Sequence, residues 1–218
     1  GEQDYFLDNL SIMAGQSDGE KEIQILSPFL TGVVRGNYSY ETVPTSILRI
    51  AQQYIPSLIS WKSQKQKPSN NFRFDVQLSD AVFFNKLFYI PLEVHMPLSI
   101  KGFVNDKDGL LRMEGYFPNL TYNGTRYESA TLLCDNPSNI MDCRLRGSML
   151  LKSGAMLTLS VDAEAEKDCL NTTINWGNNT DVTYGGKIAA VTRFHKTPGK
   201  KPLLQADIDI LPTNVLLN

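Results

Sequence analysis

Histidine and cysteine are scarce in this chain, and their scarcity narrows the chemistry it can perform. The 218 residues hold two histidines, His95 and His195, and three cysteines, Cys134, Cys143 and Cys169, with no CxxC pair. A structural zinc site wants four clustered thiolate or imidazole ligands, which this spacing does not supply. A nucleophile with its base and orienter is equally hard to assemble, since His95 stands beside Pro97 and His195 lies in the polar tail RFHKTPGKK. No enzymatic activity, catalytic residue, metal or cofactor is therefore expected. Runs of like charge are missing too: 21 Lys and Arg against 23 Asp and Glu leave a formal charge of -2, with no cluster of one sign. That argues against nucleic acid, which needs a concentrated basic footprint. Nor is there a run of about 18 apolar residues, the length a membrane-crossing helix requires. The chain opens on Gly1 rather than Met, so a missing targeting segment carries no information.

What the chain does have is period-two alternation. FRFDVQLSD (72–80) sets Phe72, Phe74, Val76 and Leu78 on one face and Arg73, Asp75, Gln77 and Ser79 on the other, the pattern of a half-buried strand. Similar runs follow at 92–104, 110–122, 125–134, 143–151, 155–165, 170–176, 182–194 and 203–210. Glycine-bearing links at Asp108-Gly109, Asn123-Gly124, Ser153-Gly154 and Gly177-Asn178 predict hairpins, hence antiparallel pairing. The N-terminal stretch has the same form, turning at Asp18-Gly19. Cys134 and Cys143 end and begin two of these strands and could bridge, although the odd count and the loose loop favour plain thiols.

One segment departs from alternation. In PTSILRIAQQYIPSLISW (44–61), Ile47, Ile50, Ala51, Tyr54, Ile55 and Leu58 recur at helical steps, with Pro44 suited to the first turn and Pro56 set to kink or end the helix. A second short helix is expected near 80–89, capped by Ser79 or Asp80. The polar stretch KSQKQKPSNN, about 62–71, is the one candidate internal boundary and reads as a loop between parts of one sheet. The whole chain is thus a single mainly β segment: a curved antiparallel sheet, open-grooved or half-closed, with one kinked helix at about 44–61.

Four charge-glycine steps, VVRGNY, SIKGFV, RMEGYF and RLRGSM, place Gly36, Gly102, Gly115 and Gly147 on the apolar face, where each weakens a strand by roughly 0.5–1 kcal/mol relative to alanine. Such gaps either let the sheet bend sharply or admit one bulky neighbour in an ordinary core, the commoner arrangement. The residues sharing that face, Phe72, Phe74, Val76, Leu78, Ile100, Val104, Met113, Phe117, Leu145 and Met149, form a groove or a closed core; periodicity alone does not choose.

Other motifs have bland readings. Asp162, Glu164 and Glu166, and Asp207 with Asp209, share strand faces and could hold a hard cation, but charge on an edge strand is the ordinary device against aggregation. NDKDG (105–109) lacks the ligand spacing of a calcium loop, and YGGK (184–187) is too short for a phosphate loop. Six sequons begin at Asn9, Asn37, Asn119, Asn123, Asn171 and Asn178. Trp61 and Trp176, with Tyr184 near the latter, could present aromatic platforms to a sugar, so a cell-surface glycan-binding module is a competing class, and a structural spacer a third.

The segments GNYSYETVPTSILRIAQQYIPSLI, FRFDVQLSDAVFFNKLFYIPLEVHMPLSIKGFVND, LLRMEGYFPNLTYNG, LTLSVDAEA and LQADIDILPTNVLLN together resemble an internal stretch of the TamB-like translocation and assembly module proteins, of the AsmA-like group. The resemblance covers nearly the whole chain and rests on its cadence of strands and glycine steps. It implies a periplasmic segment of a Gram-negative envelope protein, anchored in the inner membrane by a part outside this chain. It further implies an apolar groove that carries phospholipid or another acyl lipid between the membranes, or assists assembly with an outer-membrane barrel partner. No catalytic residue comes with the resemblance. The helix at 44–61 is a departure from a plain repeating groove and would plug or cap it.

Overall fold

The computed structural model describes residues 9–59, 69–178, 184–198 and 203–217. Alternation dominates it as the sequence requires. Strands β1 (Ser11–Ser17), β2 (Glu20–Leu26) and β3 (Leu30–Asn37) lead into helix α1 (Val43–Tyr54), β4 (Asn71–Leu78), helix α2 (Val82–Phe88), β5 (Leu92–Val94) and β6 (Leu98–Asn105). Then come β7 (Leu110–Tyr122), β8 (Thr125–Asp135), β9 (Met141–Leu150), β10 (Met156–Glu166), β11 (Cys169–Gly177), β12 (Tyr184–Lys196), β13 (Leu204–Ile210) and β14 (Asn214–Leu217).

All fourteen strands form one antiparallel sheet in the order β1-β2-β3-β4-β6-β7-β8-β9-β10-β11-β12-β13, with β5 on β7 and β14 on β12. Among the described residues the path does not close, because there β1 pairs only with β2 and β13 only with β12. This is the expected open, mainly β architecture. β3 and β4, which flank the polar linker, are direct neighbours, so one sheet runs through that boundary. The linker itself lies mostly outside the described residues, as does Trp61.

Several local expectations need correction. The strand expected over 92–104 is two, broken where Pro97 removes a ladder donor; β5 pairs with the far half of β7 and β6 with the near half. Helix α1 is not kinked: it ends at Tyr54, two residues before Pro56, and the chain continues in a turn. Pro44 stands in its first turn, as its fixed φ suits. In α2 the N-cap is Ala81, and neither Ser79 nor Asp80 occupies that position. Asp80 still serves the helix start, since the Val82 N–H donates to its Oδ1 at 2.6 Å. Cys134 and Cys143, opposite each other on β8 and β9, are joined by a disulfide where the sequence favours free thiols. The register places their Cα atoms 4.1 Å apart, and the loop between them does not prevent it. β14 has no counterpart among the strands expected from alternation.

The core sits under α1. Ile50 and Tyr54 of the helix are buried with Phe72, Val104, Leu111 and Ala165, from β4, β6, β7 and β10. From β4 to β10 the path takes five strand spacings, about 24 Å if the sheet were flat. A 12-residue helix is about 18 Å long. Helix α1 lies across the sheet and touches both β7 and β10, three spacings or about 14 Å apart.

Polar latches hold both helix ends. At the first, the fully buried Asp106 pairs with Arg49 at 2.6 Å and accepts from Ser46 Oγ at 2.9 Å, while Asn70 Nδ2 donates to Ser46 Oγ. At the second, Asp168 accepts from the Ser57 N–H (2.7 Å) and hydroxyl (3.0 Å), and its own N–H donates to the Tyr54 carbonyl. Asn136 Nδ2 donates to the Tyr54 hydroxyl at 2.6 Å. Asp106, Asn136 and Asp168 come from the links between paired strands and Asn70 from the residue before β4, so the sheet supplies the groups that hold the helix.

Candidate functional site

The ladder registers line up the apolar face strand by strand. Val76 opposes Ile100, Ile100 opposes Gly115, Gly115 opposes Leu132, Leu132 opposes Leu145, Leu145 opposes Val161 and Val161 opposes Ile174. Branched aliphatic side chains thus form one line, interrupted only by Gly115. The line is about 29 Å long from β4 to β11 at six strand spacings. Every one of these aliphatic residues is half-buried, in contrast to Val104 and Phe72, which are 0% and 4% exposed beneath α1. The apolar face is therefore sealed at the helix end of the strands and partly open along its middle.

Of the sequence-derived face, Phe72 and Val104 belong to the core under α1, with Phe74 packed against it. Val76, Ile100 and Leu145 lie in the open line. Met113 borders it beside Cys134, and the disulfide forms part of the same face. Leu78 pairs with the buried Leu98 toward the other strand ends, and Met149 pairs with the buried Leu157. Leu132, Val161 and Ile174 complete the line and were missed; the same parity count, carried into 125–134, 155–165 and 170–176, identifies them.

The glycines differ in what presses on them. A Cβ on Gly36 would strike the Asn71 carbonyl, and one on Gly102 the Arg112 carbonyl, so at these sites the neighbouring backbone comes too close for any side chain. Gly36 also has φ +147°, which side-chain-bearing residues rarely adopt. Gly115 instead lies beneath the ring of Phe117, two residues along its own strand, and Gly147 receives Ala130 from β8. Ser129, with φ 52°, accompanies the register shift that pushes Ala130 there. Trp176 lies over Gly186 of the next strand in the same fashion. Close backbone accounts for Gly36 and Gly102, and a neighbouring side chain fills the space at Gly102, Gly115 and Gly147.

Charge is concentrated on the opposite face as a series of ion pairs within and between strands. Arg35 pairs with Glu22, Arg73 with Glu20 (2.9 Å), Arg112 with Glu114 (2.8 Å) and with Asp135 (3.5 Å), and Lys101 with Glu114 (3.4 Å). The hydrogen bond from Arg35, then that from Gln24, holds the Glu22 carboxyl below the usual carboxylate range, and Arg112 does the same for Glu114. A concavity of about 570 Å³ lies here, floored by Val33 and Phe103 and walled by Arg35, Arg73, Lys101 and Arg112. Each of these cations is already paired with a carboxylate, so the concavity offers no phosphate site.

The remaining candidates resolve as follows. Asp162 pairs with Arg146 and Asp209 with Arg193 at 2.5 Å, and among the described residues no three His, Cys, Asp or Glu converge on a cation site. His95 and His195 are exposed, bonded to Thr121 (2.8 Å) and Gln205 (2.9 Å). Trp176, Tyr184, Asn178, Lys187 and Asn214 line a concavity of about 330 Å³. No helix among the described residues is long and apolar enough to cross a membrane. Compared with protein families, with curated proteins and with solved structures, the chain has no match.

Proposed function

We propose that this chain is a non-enzymatic segment of a bacterial envelope protein, of the TamB-like kind it resembles, whose apolar face shelters acyl chains of phospholipid in transit across the periplasm. The single observation that carries the reading is the half-buried aliphatic line from Val76 to Ile174, continuous across the strands and not fully covered by the protein's own residues. An acyl chain gains about 0.8 kcal/mol per buried methylene and needs no polar recognition, so it can slide along such a line. Two further features support the reading. Charge is held on the other face by the ion pairs, which keeps the aliphatic line free of groups costly to desolvate. The Cys134–Cys143 disulfide suits an oxidising compartment such as the periplasm. In this reading an outer-membrane barrel partner receives or uses the cargo, and α1 closes one end of the trough.

The test is to purify the chain from bacterial membranes in gentle detergent and extract it for lipid mass spectrometry. Bound phospholipid that is lost in an Ile100→Asp, Leu145→Asp variant retaining its fold supports the reading; lipid-free protein that takes up no phospholipid on incubation contradicts it.

A second reading rests on the concavity at Trp176, whose aromatic and amide lining suits a sugar ring. Saturable glycan binding that disappears in Trp176→Ala would establish it in place of the first.

A further inference from the structure

At the strand ends away from α1, a rigid apolar tip projects from the sheet. Helix α2 packs inward through Phe83 and Phe84, which meet Phe29 at ring distances of 5.6 and 6.3 Å. The residues that follow turn outward. Phe88 stacks on Phe84 at a ring distance of 6.3 Å and is still 58% exposed, Ile90 is 39% exposed, and Tyr89 is 89% exposed. Tyr89 also has φ 54° and ψ 35°, a left-handed conformation that is uncommon for a residue with a bulky side chain.

The tip is ordered rather than loose. Asn85 clamps it from both sides, with Nδ2 donating to the Leu92 carbonyl (2.5 Å) and Oδ1 accepting from the Leu92 N–H (3.3 Å). The Pro91 carbonyl accepts from the Asn123 N–H at 2.9 Å, tying the tip to the β7–β8 turn. A strained, clamped, solvent-facing aromatic residue contributes nothing visible to the fold, and strain held in place by its surroundings accompanies a binding role. Because the tip is already ordered, docking it costs little conformational entropy.

Its composition says what it docks on. Between residues 81 and 92 the only charge is the exposed Lys86, one turn before the tip, with aromatic and aliphatic side chains around it and the exposed Asp80 and Glu93 just beyond. An aromatic ring with a polar hydroxyl, flanked by aliphatic side chains and one long cation, is the combination that settles at a bilayer interface. The apolar parts enter the acyl boundary, and the ammonium stays among anionic headgroups.

We propose that this tip is a membrane-docking element: Phe88, Tyr89 and Ile90 insert into the interfacial layer of a phospholipid bilayer, with Lys86 at the headgroup level. The proposal rests on the reading of the aliphatic line as a lipid trough, which an interfacial tip would bring to a bilayer surface. It places that meeting at the end opposite the α1 seal.

The test is flotation of the 218-residue chain with vesicles of phosphatidylethanolamine and phosphatidylglycerol. The chain is expected to float with the vesicles, and the Phe88→Ser, Tyr89→Ser, Ile90→Ser variant to bind at least about tenfold more weakly. In a Tyr89→Trp chain, the emission of the introduced indole should shift to the blue on vesicle addition and be quenched by lipids brominated near the headgroup end of the acyl chain. This arm needs no destabilising change. Absence of vesicle binding by the unaltered chain, or binding that the triple variant retains in full, overturns the proposal, as does an indole emission at position 89 that is indifferent to vesicles. Uptake of detergent-dispersed phospholipid, followed by mass spectrometry, separates the two ideas. A docking failure leaves uptake intact in the triple variant, whereas a trough failure abolishes uptake while the vesicles are still bound.

Discussion

Gly102 and Phe74 face each other across β6 and β4, and the Phe74 ring occupies the space that a side chain at 102 would fill: a Cβ there would lie 2.9 Å from Phe74 Cζ and would strike the Arg112 carbonyl on the other side. Backbone cannot yield as a flexible side chain does. Gly102→Ala should therefore destabilise the chain by about 1–3 kcal/mol through overpacking. Gly15→Ala, where nothing lies within 4 Å and the strand is exposed, should be neutral or add about 0.5–1 kcal/mol. Urea denaturation of both variants checks the contrast.

The seat of α1 depends on a buried carboxylate. Asp106 has no exposed side-chain surface, while its partner Arg49 is 29% exposed. Asp106→Ala removes the carboxylate that Ser46 Oγ and Arg49 share, a loss of about 3–5 kcal/mol for a buried pair, nearer the lower figure here because Arg49 keeps some water and Ser46 Oγ also reaches the Thr42 carbonyl at 3.1 Å. A lowered urea midpoint, with new proteolytic cleavage within 43–54, is the expected result.

The Cys134–Cys143 bridge closes a short loop, with a sequence separation of 9. Chain-entropy arguments assign such a loop about 2–3 kcal/mol, so the Cys134→Ser, Cys143→Ser variant should unfold at lower urea by that amount. Thiol titration of the unreduced, unfolded chain should find one reactive group, Cys169.

Acid should loosen the charged face. The Glu22 and Glu114 carboxyls titrate below their unfolded values, so the stability they contribute is present above the unfolded carboxylate pKa and is lost as pH falls through the lower, folded ones. Arg35→Gln removes the largest cause at Glu22. NMR titration should then show the Glu22 midpoint moving up toward the ordinary carboxylate value, and the acid limb of the stability curve beginning at higher pH.

Much of this architecture was legible because strand parity is local. Phe72, Phe74, Val76 and Leu78 announce their face within eight residues, and the helical spacing of Ile47, Ile50 and Tyr54 announces α1, though not that it stops before Pro56. What was not legible depends on which strands pair and in what register. Gly102 and Gly115 look alike in sequence, yet one is pressed by the β7 backbone and the other roofed by Phe117. The alternation of LEVHMPLSI runs straight through Pro97, so the break between β5 and β6 was hidden. Asn70 reads as part of the polar linker and Asp106 as part of a turn, while nothing in the sequence singles out Asn136 or Asp168; only the folded sheet brings the four to α1. The disulfide likewise needed the β8–β9 register that sets Cys134 against Cys143.

The most direct measurement of the central claim is site-specific photocrosslinking to phospholipid. A photoreactive side chain is placed in turn at Val76 and Leu145, on the aliphatic line, and at their outward-facing neighbours Asp75 and Arg144. Lipid adducts at Val76 and Leu145, with none at Asp75 and Arg144, are the result expected of an acyl-chain trough. Equal labelling at all four positions, or none at Val76 and Leu145, would contradict it.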